Sequence, residues 1–322
     1  MVFLFSVSEE LKKKLQQVNR SLKEFYSIST FDKEKIRQRL SQIGNFRVIP
    51  KWSSQQIKNW LQEKTMVGVD GSVNSISGDQ VRTLSIFQAL AKGLKEKEEK
   101  WAADVHTPLL EERTNREKGQ AARDARERRK ILSELELKVA QEAVQEWSPK
   151  LVMMDGSLAH FFIDHLEEWA RLVHYAEQQQ VILIGVAEEI QSYRLVDEHF
   201  PEYPYWSDRE LLYGVLKEGE VFEWQDWGVA GSGLWKMVMR TSRNPQPIGL
   251  DGLLSQQEER FQLAGLIYAL TPEQGRGVPY WLDIVDRQVR VTNPLVQTMV
   301  EQYIDPEVRY RILQLKREER TI

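Results

Sequence analysis

The sequence predicts an α/β fold, a mixed or parallel sheet flanked by helices. Three short, wholly apolar runs carry this reading: Met66-Val67-Gly68-Val69, Leu151-Val152-Met153-Met154 and Val181–Val186. Strands without polar alternation are those covered on both faces. Stretches of helical apolar spacing lie between them, and strands alternating with helices build sheets of this class. The first two runs end in the same tripeptide, Asp70-Gly71-Ser72 and Asp155-Gly156-Ser157.

In chain order, Leu11, Leu15, Val18, Leu22 and Phe25, then Ile36, Leu40 and Ile43, recur at helical spacing. They predict two helices over 8–43, with Asp32 opening the second. Residues 1–48 read as an N-terminal helical extension that packs as a cap on the main domain, 49–322; an oligomer contact is the other reading. A helix near Ser53–Glu63 leads into the first strand, expected to end at Asp70. Gly78-Asp79 reads as a turn before a strand in VRTLSIFQALAKG, and Lys92–Lys100 as a charged stretch. A helical run from about Leu109 to Glu146 is closed by Pro149, and a helix over 159–178 separates the second and third strands. Further on come a helix at 207–217, strand-like pieces at 220–225 and 234–241, and an apolar stretch at 260–270. Asn244–Asp251 and Thr271–Gly277 read as loops. From Pro279 the chain is helical, with breaks at Asn293-Pro294 and Asp305-Pro306.

Composition excludes several classes. With 41% hydrophobic and 29% charged residues the chain is not disordered throughout. No cysteine occurs among the 322 residues, so disulfides, thiolate metal sites and cysteine nucleophiles are excluded. No apolar run reaches the roughly 18–20 residues of a membrane helix. The MVFLFSVSEELKKK start has neither a basic leader nor a small-residue cleavage site, so a cytoplasmic location is expected. A net charge of −4 excludes nucleic-acid binding by overall basicity and leaves room for a local basic groove.

Asp70 and Asp155 each stand where an apolar strand emerges, and sites in open α/β sheets form outside the strand carboxyl ends. Two such carboxylates suit one hard cation, or two; equally, Asp-Gly is turn chemistry and Asp a helix cap. A third acid comes from the helix before the second strand. With Ile131 at the origin and about 100° per residue, Glu136 falls at about 140°, on the border of the apolar face, and Glu134 at about 300°, on the solvent side. A carboxylate turned inward needs a partner, either a cation or an arginine. Asp283 and Asp286, beside Leu282, Val285 and Val289, either close a metal site or are surface residues. No HExxH or paired histidine occurs, so oxygen ligation favours Mn²⁺ or Mg²⁺ over Zn²⁺. Ser72 and Ser157 have no evident His-Asp partners, and GxSxG is absent. Arg113, Arg116, Lys118, Arg123, Arg126, Arg128, Arg129 and Lys130 lead into the Glu136 helix, either as a phosphate-tracking strip or as a solvated, ion-paired helix face. Of these, Arg126, Arg128, Arg129 and Lys130 are the DNA-binding candidates. Trp101, Tyr205 and Trp206 are candidates for base stacking or for packing.

Taken together, VGVDGS, a long helix with an inward Glu, LVMMDGSL, ILIGVA and the late Pro279, Leu282, Asp286 element resemble the NurA nuclease family over roughly residues 65–290. The resemblance implies an RNase H-like core and a manganese-dependent DNA nuclease that resects 5′ ends and cuts single strands. It further implies a homodimer working beside a HerA-like hexameric ATPase in double-strand-break repair. By position it makes Asp70 and Asp155 the strand ligands, with Asp70 bridging two metals, Glu136 the helix ligand, and Asp286 the counterpart of a late His or Asp. The chain departs from the pattern at Glu188, where many members carry Lys. Two other readings stay open: a NurA-like scaffold without activity, and an actin-like phosphotransferase, which the single glycine of each turn disfavours.

Overall fold

The computed structural model describes residues 8–26, 31–77, 82–95, 97–110 and 120–313. Helices α1 (Glu9–Phe25) and α2 (Lys33–Ile43) come first, and Asp32 caps α2 by accepting from the Glu34 and Lys35 amides. Strand β1 (Asn45–Val48) and α3 (Ser54–Leu61) lead into a long antiparallel meander, β2 (Met66–Ser77), β3 (Thr83–Gly93) and β4 (Glu99–His106). Then follow α4 (Gln120–Trp147), β5 (Leu151–Asp155), α5 (Ala159–Asp164), α6 (Leu166–Gln178) and β6 (Ile182–Ala187). The remainder is α7 (Arg194–His199), α8 (Asp208–Leu212), β7 (Glu220–Glu223), β8 (Leu234–Met239), β9 (Ile248–Leu253), α9 (Arg260–Leu270), α10 (Tyr280–Val289) and α11 (Asn293–Tyr303).

These strands form one sheet in the order β1-β7-β8-β9-β6-β5-β2-β3-β4. Its centre, β2, β5 and β6, is parallel, and both flanks are antiparallel. Side chains alternate across the central strands, as strand geometry requires. Val67, Val69, Val152, Met154 and Leu183 pack under α4, α5 and α6. Met66, Leu151, Met153, Ile182 and Ile184 pack on the other face, against α3, α9 and α10. A third core gathers Ile36 and Leu40 of α2 with Phe222, Val238 and residues of α7 and α8. No described helix is long and apolar enough to cross a membrane.

Several expectations are corrected. The first strand does not end at Asp70: β2 runs on to Ser77, because Gly71 and the residues after it stay paired with β3, Gly71 opposite Ala89. The Lys92–Lys100 stretch turns into β4, an edge strand polar enough to hide its pattern. Asn244–Asp251 is not all loop. Ile248–Leu253 forms β9, paired on both sides and buried along its length despite two glycines and an aspartate. The 159–178 helix breaks at His165, and the helix expected at 207–217 is shorter. Of the capping segment, α2 buries Ile36 and Leu40, whereas α1 buries nothing.

Candidate active site

Register decides where the acids point. Asp70 shares the parity of Met66 on β2, and Asp155 that of Leu151 and Met153 on β5, so both side chains project on the α10 face. Val69 pairs with Met154, which sets the two aspartates side by side just where the β2–β5 pairing stops. The two Asp-Gly-Ser tripeptides do different things. Gly156 turns the chain, with φ +101°, a conformation side chains resist. Gly71 lies in continuous strand, and its role is space: a Cβ there would stand 2.7 Å from Glu136 Oε1 and from Leu132 Cδ1. Glu136 thus reaches from α4 over the bare backbone of β2 toward the aspartates. It is buried, 7% exposed, while Glu134 is exposed, as the helical wheel predicts.

The fourth acid, Asp286, comes from α10, which Gly68 admits close to β2 against Trp281 and Val285. Ser72 Oγ accepts from the Val291 amide at 2.9 Å, and Asn74 donates to the Val291 carbonyl at 3.0 Å, fixing the end of α10 on the strand. Asp286 is paired with Arg290 at 2.5 Å, and Asp283 with Arg276 at 2.8 Å. Ser72 and Ser157 are therefore structural: Ser157 Oγ donates to Asp251, whose Oδ1 also accepts from the Leu158 amide at 3.0 Å.

The acids act on one another as a cluster. Burial first, then the Asp155 charge, with a further contribution from Asp286, pushes the Asp70 carboxyl up to about 8. Burial, then Asp70 and Asp155, raises Glu136 well above the usual range. Asp155 rises to about 6 through burial, opposed by Arg276 and aided by Asp286, Glu188 and Asp283. His160 lies 4.0 Å from Glu136, but burial holds its imidazole down to about 4, so it is neutral at pH 7 and does not balance the cluster. Among the described residues no three or more acidic or histidine side chains stand close enough together to hold a metal ion as they lie; Asp70 Oδ1 accepts instead from the Gly71 amide at 2.7 Å. The donors nonetheless fit a hard divalent cation: buried and half-buried oxygens of like charge, drawn from several elements, whose repulsion such an ion removes.

One consequence is measurable. A carboxyl whose folded pKa is raised binds its proton more tightly when folded, so stability is lost as pH rises toward that value. His160, lowered to about 4, works oppositely between about 4 and its ordinary 6.5. Above 6.5 only the acids act. The metal-free protein is therefore expected to melt at progressively lower temperature from pH 6.5 to 8.5. Excess Mg²⁺ should flatten that slope, and thermal unfolding with EDTA or Mg²⁺ reads it.

The basic strip divides. Arg113, Arg116 and Lys118 lie outside the described residues, as does the side chain of Arg123. Arg126 and Arg129 are exposed and Arg128 and Lys130 half-buried on α4; Arg129 donates to Asp164 at 3.0 Å. Lys130 precedes Glu136 by six residues, about 9 Å along the helix. Trp206 is buried in the third core, Tyr205 stacks on Phe25, and Trp101 is exposed on β4. Arg276 and Asp251 carry no sequence signal: neither lies in a motif, and tertiary pairing alone brings them to the site.

Acids from a central strand, its parallel neighbour, the intervening helix and a late helix define the class: an RNase H-like α/β protein with a carboxylate site at the centre of its sheet. The NurA domain model matches residues 64–291, and the chain belongs to that family. Among solved structures it is similar to a crystal structure of NurA at 11% identity and a TM-score of 0.54, over 93% of this chain and 98% of that one. Crystal structure of NurA with manganese is matched at 11% identity and a TM-score of 0.53, over 91% and 97%. A third, NurA bound to dAMP and manganese, gives 10% identity and a TM-score of 0.49 over 95% and 99%. No curated protein sequence matches the chain. The fold is the nuclease fold of the NurA family.

Proposed function

We propose that the protein is a divalent-metal-dependent deoxyribonuclease that hydrolyses phosphodiesters of single-stranded or end-bearing DNA. The observation that carries this reading is the meeting of Asp70 and Asp155 on one sheet face, with Glu136 reaching them across Gly71 and Asp286 placed by α10. The manganese bound by a related NurA structure supports Mn²⁺, and Mg²⁺ fits the same oxygen donors.

Asp70, Asp155 and Glu136 would hold the cations, with Asp286 closing the site. When bound, such ions supply an activated water and charge relief for the departing 3′ oxygen. The chain's own part is positioning: β2 and β5 hold two acids rigidly, Asp251 fixes the turn after Asp155, and Arg126, Arg128, Arg129 and Lys130 offer phosphate contacts one to three turns up α4. The proposal extends to 5′-to-3′ resection and single-strand cutting beside a HerA-like ATPase in break repair. The test is incubation of labelled single-stranded and blunt duplex DNA with Mn²⁺, Mg²⁺ or EDTA. Cleavage that needs the metal supports the proposal, and intact DNA under all three conditions refutes it.

The protein is further proposed to be a homodimer. Leu11, Leu15, Val18, Leu22 and Phe25 on α1 are 48–59% exposed and follow a strict four-three spacing, the seam of a two-stranded coiled coil. In a parallel pair of copies Lys14 faces Asn19 and Ser21 faces Tyr26 across the seam, so no like charges meet. A 17-residue helix is marginal alone in water, which is why its stripe needs cover. Light scattering should report a dimer that Leu15→Glu with Leu22→Glu converts to monomer; an unchanged mass would contradict this.

A further inference from the structure

At the rim of the carboxylate site, the loop between α9 and α10 brings in one cation, Arg276. Its Nε donates to Asp283 Oδ1 at 2.9 Å, Nη2 lies 2.8 Å from the same oxygen, and Nη1 donates to Glu188. Both partners frame the site. Glu188 lies two residues beyond Val186, the β6 partner of Asp155, and Asp283 lies one turn before Asp286. The acids and the arginine differ in depth: Asp70 is 8% exposed, the Arg276 side chain 39%.

This arginine does more than tether the loop. Ion pairs between groups this exposed contribute little to stability, at most about 1 kcal/mol. Its charge, on the other hand, is felt at both Asp70 and Asp155. A guanidinium carries five N–H donors in a planar fork, and the three contacts named leave two. A phosphodiester approaching a site lined with acids is repelled by them, and a fixed cation at the entrance offsets part of that repulsion before the strand reaches the centre. Arginine offers phosphate two parallel donors.

We propose that Arg276 binds a phosphate of the DNA strand entering the carboxylate site, with Glu188 and Asp283 as positioning residues that aim its guanidinium. The inference rests on the nuclease reading for its substrate, but binding tests it separately from cleavage.

The experiment uses the full chain and a fluorescein-labelled single-stranded oligonucleotide. Anisotropy in Ca²⁺ over a salt series gives affinity and its salt slope; Mn²⁺ cleavage is followed in parallel. Each phosphate contact on a single strand contributes about 0.7 to the slope of log K against log salt. Arg276→Gln should weaken binding about tenfold and lower the slope by about 0.7. Arg276→Lys should restore the slope but only part of the affinity, since it lacks the fork. Arg243→Gln, which removes an exposed arginine paired with Glu273 of the same loop, should leave the slope unchanged. A wild-type slope in Arg276→Gln, or a wild-type protein that fails to bind the oligonucleotide, overturns the proposal. Binding that follows these expectations without cleavage in Mn²⁺ would instead remove the nuclease reading and leave the phosphate contact standing.

Discussion

Asp70→Asn is expected to abolish cutting while making the metal-free protein harder to unfold. The two effects have one cause. Asp70 is buried, feels the charges of Asp155 and Asp286, acts in turn on Glu136, and is pushed up to about 8. Asparagine keeps the shape and one oxygen but removes the charge that would hold a cation. Losing about 4 kcal/mol of transition-state stabilisation is about a 10³-fold loss of rate, the order expected for a metal ligand. In EDTA the same change removes a buried charge and, with it, the repulsion from Asp155 and Asp286. The raised pKa bounds that relief at about 6 kcal/mol once pH exceeds 8, and most of it vanishes at pH 5, where the carboxyl is protonated in the folded protein anyway. Nuclease rate in Mn²⁺ and melting temperature in EDTA at pH 5 and 8.5 give both halves. A variant that keeps its activity, or that melts below wild type in EDTA at pH 8.5, contradicts the cluster.

Gly185→Ala is expected to cost about 3 kcal/mol of stability, the upper range for a side chain forced into filled space. Gly185 pairs with Asp251 on β9, and the Asp251 carboxylate crosses over it to hold Ser157 and the Leu158 amide. A Cβ at Gly185 would press on that carboxylate and stand 2.7 Å from the Gly156 carbonyl oxygen and 2.9 Å from the Leu158 amide nitrogen. Two of the three obstacles are backbone, and the third is a buried, hydrogen-bonded acid, so none can yield cheaply. The turn after Asp155 must shift, and nuclease activity should fall with stability. Denaturant unfolding checks the first and the Mn²⁺ assay the second; unchanged values for both would mean that the turn is slack.

Asp70 and Asp155 were legible in the sequence because buried parallel strands are uniformly apolar, so an acid at the end of such a run stands out. Glu136 was legible because a helix repeats every 3.6 residues and its wheel puts one glutamate inward and its neighbour outward. What Gly71 does was not legible. Asp-Gly-Ser reads as turn chemistry in both copies, and only the pairing of β2 with β3 shows that the first copy is strand and that its glycine makes room for Glu136. Strand β9 was hidden for a related reason: Gly249, Asp251 and Gly252 look like loop residues, yet Gly252 lies under Trp235 and Asp251 serves the neighbouring turn. Arg276 has no local signature, since its meaning lies in Glu188 and Asp283, brought to it by folding.

Acids from β2, α4, β5 and α10 are proposed to hold divalent ions. The most direct measurement is anomalous diffraction from crystals grown with Mn²⁺. A strong peak bounded by Asp70 and Asp155, with Glu136 or Asp286 turned in to complete its oxygen shell, is the expected result. Manganese bound only elsewhere, with Asp70 and Asp155 left without an ion between them, would contradict it.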